Sequence, residues 1–300
     1  MKIIVFNSSN LVADGDNNKL IYKFPNSVVF KDNYIAVNSI NLFYSWDSIS
    51  TILLNNTFTY LWYAGAVATT YTIIIPDGTY ELNEINAYLQ FKFISNGHYL
   101  QNGGQNIYYA ELILNTTRYA VQVNTYLVPI SLPAGYTNPA LMPFPTQTFN
   151  PVLTFPSKFS NLVGFPDNFA TNLNQNDSYT PPVSTIISKN GLGTISYLSP
   201  NAPQLQPNSI VYISMSNIDN SYAQPNSIIY AITPSVQVGQ QISNTPPQLV
   251  WNKLLNGVYN QLRLTILGTD LNPIVINDPT MTFLLVIRGP EDMGIPMGKM

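Results

Sequence analysis

The sequence predicts an all-β protein, an antiparallel β-sandwich or jelly roll with a short helix. Three observations carry that expectation. The chain holds 36 Asn, 23 Pro and 20 Tyr, so turn-forming and strand-forming residues are both abundant. At least eight short runs are apolar or alternate apolar with polar residues, and turn chemistry bounds them. Only one stretch repeats its apolar residues at the helical period.

Taken in order, Lys19–Phe24, Ser27–Phe30 and Tyr34–Phe43 read as strands. The breaks between them are Pro25-Asn26 and Asp32-Asn33, and Asp14 to Asn18 forms a polar turn before the first. Phe58–Tyr63 places Phe58, Tyr60 and Trp62 on one face and Leu61 and Tyr63 on the other. A strand apolar on both faces is buried in a core or against another subunit. Tyr71–Ile75 is a further strand that stops at Pro76.

Leu82, Ile85, Leu89 and Phe93 then recur at intervals of 3, 4 and 4, which predicts a helix near 82–95. Glu81 and Glu84 suit the positive end of its dipole, and Gly97 suits its C-terminal stop. Ile107–Leu114 and Arg118–Val128 read as a hairpin around Asn115-Thr116-Thr117. Residues 129–207 hold 13 of the 23 prolines. They read as a long Pro/Asn-rich connection or a small insertion with little continuous sheet, because proline removes a ladder donor.

Gln206–Ile213 recurs 18 residues later as Gln224–Ala231, each copy a Pro-Asn turn feeding a strand, and the two strands are expected to be neighbours. Gln261–Leu267 and Met281–Ile287 alternate strictly. Residues 289–300, with Gly, Pro and three Met, read as a flexible C-terminal arm. The expected organisation is one jelly-roll domain over 1–288, with the excursion at about 129–207, followed by that arm.

Charge is the anomaly. Only 9% of residues are Asp, Glu, Lys or Arg, and the net charge is −3. A monomer of this mass exposes roughly 12,600 Å², so about one charge serves each 470 Å² where about 170 Å² is usual. Uncharged polar groups or partners must cover the remainder. The cations are scattered, so no nucleic-acid footprint exists. With no cysteine there is no disulfide or thiolate metal site. No apolar run reaches a membrane span, and Ile3–Phe6 is too short for a signal peptide.

No cofactor or metal is expected, and no catalytic residue stands out. Asp14-x-Asp16-x-Asn18 starts like a calcium loop, but Lys19 and Pro25 replace the required Gly and Glu. Glu81 with Glu84, and the single His98, are the candidates for acid–base chemistry, and local structure explains them without it. Sequons at Asn7, Asn55, Asn115 and Asn176 are what an Asn-rich chain contains by chance. Tyr and Trp residues on strands would also suit a carbohydrate site, and a jelly-roll receptor- or glycan-binding protein is the alternative function.

Three segments in order carry a resemblance. They are Ile75–Leu89, Asn161-Leu-Val-Gly-Phe165, and Asn260–Arg288 with Leu264–Pro273 inside it. Together they resemble the penton, or vertex minor capsid, protein of virophages and Polinton-like viruses. The resemblance implies a single jelly roll standing at the five-fold vertices of an icosahedral capsid. Five copies would form a plug among trimers of a double jelly-roll major capsid protein. It also implies a structural role without catalytic residues, assembly inside the host cell, and a place in the virion.

Overall fold

A computed structural model describes residues 1–171 and 194–293. The chain forms two compact units, one of residues 1–47 with 207–300 and the other of residues 48–206.

The first unit opens with β1 (Lys2–Asn7), β2 (Lys19–Phe30) and β3 (Tyr34–Phe43). The second unit contains β4 (Thr57–Ala64), β5 (Val67–Ile74), α1 (Leu82–Ser95), β6 (Leu100–Asn102), β7 (Gln105–Ile107), β8 (Ala110–Asn115) and β9 (Ala120–Tyr126). It continues through β10 (Tyr136–Thr137), β11 (Val152–Phe155), α2 (Ser157–Leu162), β12 (Phe169–Ala170) and β13 (Thr194–Leu198). The first unit resumes with β14 (Val211–Met215), β15 (Ile218–Asp219), β16 (Ile228–Ile232), β17 (Gln241–Asn244), β18 (Asn252–Leu254), β19 (Gly257–Leu267) and β20 (Met281–Arg288).

The first unit is a jelly roll, and its pairing order proves it. One sheet runs β1-β20-β3-β18-β15, with β17 also on β3, and the other runs β16-β14-β19-β2. With β17 and β18 counted as one broken strand, β1 to β3 as first to third, and β14, β16, β19 and β20 as fourth, fifth, seventh and eighth, the antiparallel pairs are 1–8, 2–7, 3–6 and 4–5. That is one long hairpin, rolled until β20 also meets β3 and β19 also meets β14. Strand alternation drives the roll. Met281, Phe283, Leu285 and Ile287 of β20 are buried with Ile4 and Phe6 of β1, Ile35, Val37, Ile40 and Leu42 of β3, and Leu262, Leu264 and Ile266 of β19. Burying such a face contributes about 25 cal/mol per Å².

The boundaries of the insertion differ from the sequence expectation. The expected single domain over 1–288 with an excursion at 129–207 is replaced by an insertion spanning 48–206, placed between the third and fourth strands of the roll. Residues 48–128 therefore belong to the second unit, whose core joins Phe58, Tyr60 and Trp62 of β4 to Leu82, Ile85, Leu89 and Phe93 of α1, Val121 and Val123 of β9, and Phe155 and Phe159. Its sheets run β12-β11-β4-β5, β13-β9-β8 and β10-β6-β7. Both units are β-rich, so strand periodicity could not separate them. Residues 172–193, which include the sequon at Asn176, lie outside the described residues.

Two local features also differ, and one agrees. Pro25-Asn26 does not end a strand: β2 runs through it, and the register against β19 slips between Tyr259 and Gln261. Proline lacks a ladder donor, so it falls at the irregularity of an edge strand. The two Pro-Asn repeats do become neighbours, β14 and β16, but antiparallel, with Val211 opposite Ile232. The expected arm begins as a structured turn: Pro290–Met293 forms a 3-10 turn, Asp292 accepts the Gly289 N–H at 3.0 Å, and it pairs with the Met1 ammonium at 2.8 Å. Residues 294–300 lie outside the described residues.

Candidate functional site

The chemical candidates resolve into structural roles. Asp14 pairs with Lys19 at 3.0 Å and accepts the Asp16 N–H, so this segment is a closed turn. Lys19 and the Asp16 N–H hold the Asp14 carboxyl below its ordinary pKa. Glu84 accepts the Glu81 N–H at 2.8 Å, capping the start of α1. Asn55 and Asn115 are buried and donate to the Ser48 carbonyl and to Gln122, so neither amide is open to modification in the folded chain. Asn7 accepts the Ser9 N–H in its own turn. Among the described residues no group of three or more His, Asp or Glu is gathered as a metal site.

His98 closes the C-terminus of α1. Gly97 takes φ +72°. Its N–H reaches the Ile94 carbonyl, and the His98 N–H reaches that of Phe93. That is a Schellman motif, and glycine is favoured there because the left-handed backbone penalises a Cβ. The imidazole is buried, stacked on Trp62 at 4.3 Å and met edge-on by Tyr71 at 4.7 Å. The Tyr60 hydroxyl accepts from Asn96 at 2.6 Å and is hydrogen-bonded to His98 Nδ1 at 2.9 Å. Burial lowers the His98 pKa to about 4 and raises that of Tyr60.

His98, Tyr60 and Trp62 are buried, while Tyr71 is half-buried and Asn96 exposed. This arrangement predicts a pH effect. His98 titrates near 6.5 in the unfolded chain and near 4 in the folded one. Its contribution is therefore complete above about pH 6.5 and is lost as pH falls from there to about 4. The whole effect amounts to at most about 3 kcal/mol. Urea unfolding of the second unit should show that slope over this window, and His98→Phe should flatten it. An identical pH profile in wild type and variant would contradict the assignment.

A second polar cluster shows how few charges suffice. Asn115 donates to Gln122 at 3.1 Å, and Gln122 donates to Asn124 at 2.8 Å. Ser196 also donates to Asn124, and both Asn124 and Tyr126 donate to Glu111. Amides thus satisfy one another along β9 where another protein would place ions. Burial, and then the Glu111 carboxylate, raise the Tyr126 pKa.

The tryptophans offer little open ring surface, whereas Tyr222 and Tyr119 are exposed. Trp46 and Trp62 are buried, and the Arg288 guanidinium lies over the Trp251 ring at 4.1 Å. What remains open is apolar surface. In the first unit Ile3 and Val5 point outward from edge strand β1, with Ile3 62% exposed. Val29 and Val258 oppose each other across β2 and β19, both about two-thirds exposed (68% and 66%). In the second unit Tyr119 and Leu114 flank the β8–β9 hairpin, and Phe91 and Ile94 project from α1. Sequence alternation missed these positions, because β1 is apolar on both faces.

The three segments behind the sequence resemblance have physical reasons for their glycines. Gly78 exchanges backbone hydrogen bonds with Ile49, 2.9 Å in each direction, and a Cβ there would stand 3.1 Å from the Tyr80 ring. Gly164 has φ +80°, and a Cβ there would collide with the Asn201 carbonyl. At Gly268 a Cβ would collide with the Asn208 side chain and stand 2.8 Å from Ile274.

No family model and no curated protein matches the sequence. Among solved structures, the chain is similar to the mavirus penton protein, with a TM-score of 0.43 and 10% identity over 95% of this chain and 96% of that one. It is also similar to a chain of the Sputnik virophage particle, with a TM-score of 0.37 and 11% identity over 98% and 99%. The jelly-roll assignment itself stands on the strand pairing.

Proposed function

We propose that the chain is a structural capsid protein that forms the pentameric vertex, the penton, of an icosahedral virus particle. Five copies associate through their jelly rolls, and trimers of a double jelly-roll major capsid protein surround them. The observation that carries this reading is a complete jelly roll in a chain of which only 9% of residues are charged. The ordered resemblance of residues 75–288 to virophage pentons supports the same reading.

In this reading the protein is not an enzyme, needs no cofactor and contacts no nucleic acid directly. It is made and assembled in the host cell and resides at the capsid vertices. Electron microscopy of purified particles tests it. Density at the five-fold vertices should accept five copies of the roll, and particles lacking this chain should have empty vertices. Filled vertices without this chain would reject the proposal.

A further inference from the structure

We propose that the second unit carries a self-complementary docking edge, the free side of β5, and that its partner is β5 of a second copy of this chain. β5 is the last strand of its sheet and pairs only with β4 among the described residues. Its ladder runs without a bulge from Thr57–Ile74 to Ala64–Val67. Natural edges are blunted by charge, proline or a bulge. β5 has none of these: its sequence is VATTYTII, and no Asp, Glu, Lys or Arg occurs anywhere from Ser48 to Pro76.

The hydrogen-bond phase identifies the open positions. The Ile75 N–H donates to the Asn56 carbonyl at 2.8 Å, which fixes 75–56 as a hydrogen-bonded pair. In an antiparallel ladder such pairs alternate. Ile73, Tyr71, Thr69 and Val67 therefore face β4, while Ile74, Thr72, Thr70 and Ala68 turn their N–H and C=O outward. The Ile74 carbonyl agrees with this phase, since it accepts the Tyr88 hydroxyl at 2.8 Å. Ala68, Thr70 and Thr72 are exposed and keep open backbone groups.

A two-fold axis at Thr70 maps this set onto itself. Thr70 meets Thr70 of the second copy, and Ala68 meets Thr72 in both directions, so each facing pair exchanges both of its backbone bonds. Thr69 then lies opposite Tyr71, and Val67 opposite Ile73, which uses the full strand. A charge near a two-fold axis would face its own copy, and the neutral run from 48 to 76 avoids that. Cross-strand Thr pairs are favourable on such a surface. The contact is independent of the vertex reading, because five subunits cannot all pair two by two. It joins free subunits or subunits of different rings.

The chain has no cysteine, so single-cysteine variants report without background. Facing residues of a hydrogen-bonded pair have Cα atoms about 5.5 Å apart, within disulfide reach. Thr70→Cys should give a linked dimer under mild oxidation at least about tenfold faster than Val67→Cys, whose two copies would lie ~20 Å apart along the paired strands. Thr70→Lys places like charges at the axis. It should abolish the dimer in sedimentation velocity while leaving the circular dichroism spectrum and vertex occupancy unchanged. Equal linking rates for the two cysteine variants, or a dimer that survives Thr70→Lys, would overturn the proposal. Loss of vertex occupancy in Thr70→Lys would overturn the independence of this edge from the vertex contacts.

Discussion

Gly164→Ala is expected to destabilise the inserted unit by about 3 kcal/mol or more. Two costs add at this position. The backbone has φ +80°, a left-handed conformation that costs a side-chain-bearing residue roughly 1 kcal/mol. A Cβ would also run into the Asn201 carbonyl and stand 3.1 Å from Ser199 Oγ. Neither neighbour is free to yield. Asn201 donates its N–H to the Gly164 carbonyl at 3.2 Å, and Ser199 Oγ donates to the Asn201 carbonyl and accepts from the Val121 N–H. The same turn holds the end of α2, with the Phe165 N–H on the Ser160 carbonyl and the Gln204 N–H on that of Leu162.

Gly103→Ala is the matched control. It has φ +58° but nothing within 4 Å of the added Cβ, so it pays only the backbone cost of about 1 kcal/mol. Chemical unfolding followed by circular dichroism should separate the two variants by about 2 kcal/mol. Equal losses would show that the Asn201 contact relaxes freely.

The second large effect concerns assembly. Exposed ion pairs contribute about 0–1 kcal/mol each and are screened by salt. Apolar burial contributes about 25 cal/mol per Å² and is not screened at moderate salt. Several of the few charges are already engaged within the jelly roll: Lys19 with Asp14, Lys253 with Asp32, Asp292 with the Met1 ammonium, and Arg288 over Trp251. With only 9% of residues charged, few ion pairs can form between subunits. Interfaces that bury above ~1,200 Å² in total with neutral, aromatic-rich cores need none. Subunit association should thus be nearly indifferent to salt and sensitive to low urea.

Much of the architecture was legible in the sequence. Leu82, Ile85, Leu89 and Phe93 named the helix and its buried face, and Gly97 named its stop. The alternation in Gln261–Leu267 and Met281–Ile287 placed two central strands and their inward residues. The insertion was not legible at its start, because its strands at 57–64 and 67–74 are patterned like those of the jelly roll into which they are inserted. Proline density marked only the second half of that unit. Pro25 misled for the opposite reason: a bulge in an edge strand absorbs the proline that elsewhere breaks a strand. The places of Glu81 and Glu84 in the first turn of the helix and of His98 in the turn after it were legible, and the structure adds the cap in one case and the burial in the other. The open apolar positions and the phase of β5 depend on pairing partners, which periodicity alone does not encode.

Sedimentation velocity of the purified chain across a salt series tests the central claim most directly. The account predicts a pentamer, alone or joined to a second ring through β5, whose dissociation changes little between low salt and about 0.5 M NaCl, and which low concentrations of urea disperse. An assembly that falls apart steeply with added salt would contradict it, and so would a chain that stays monomeric under every condition.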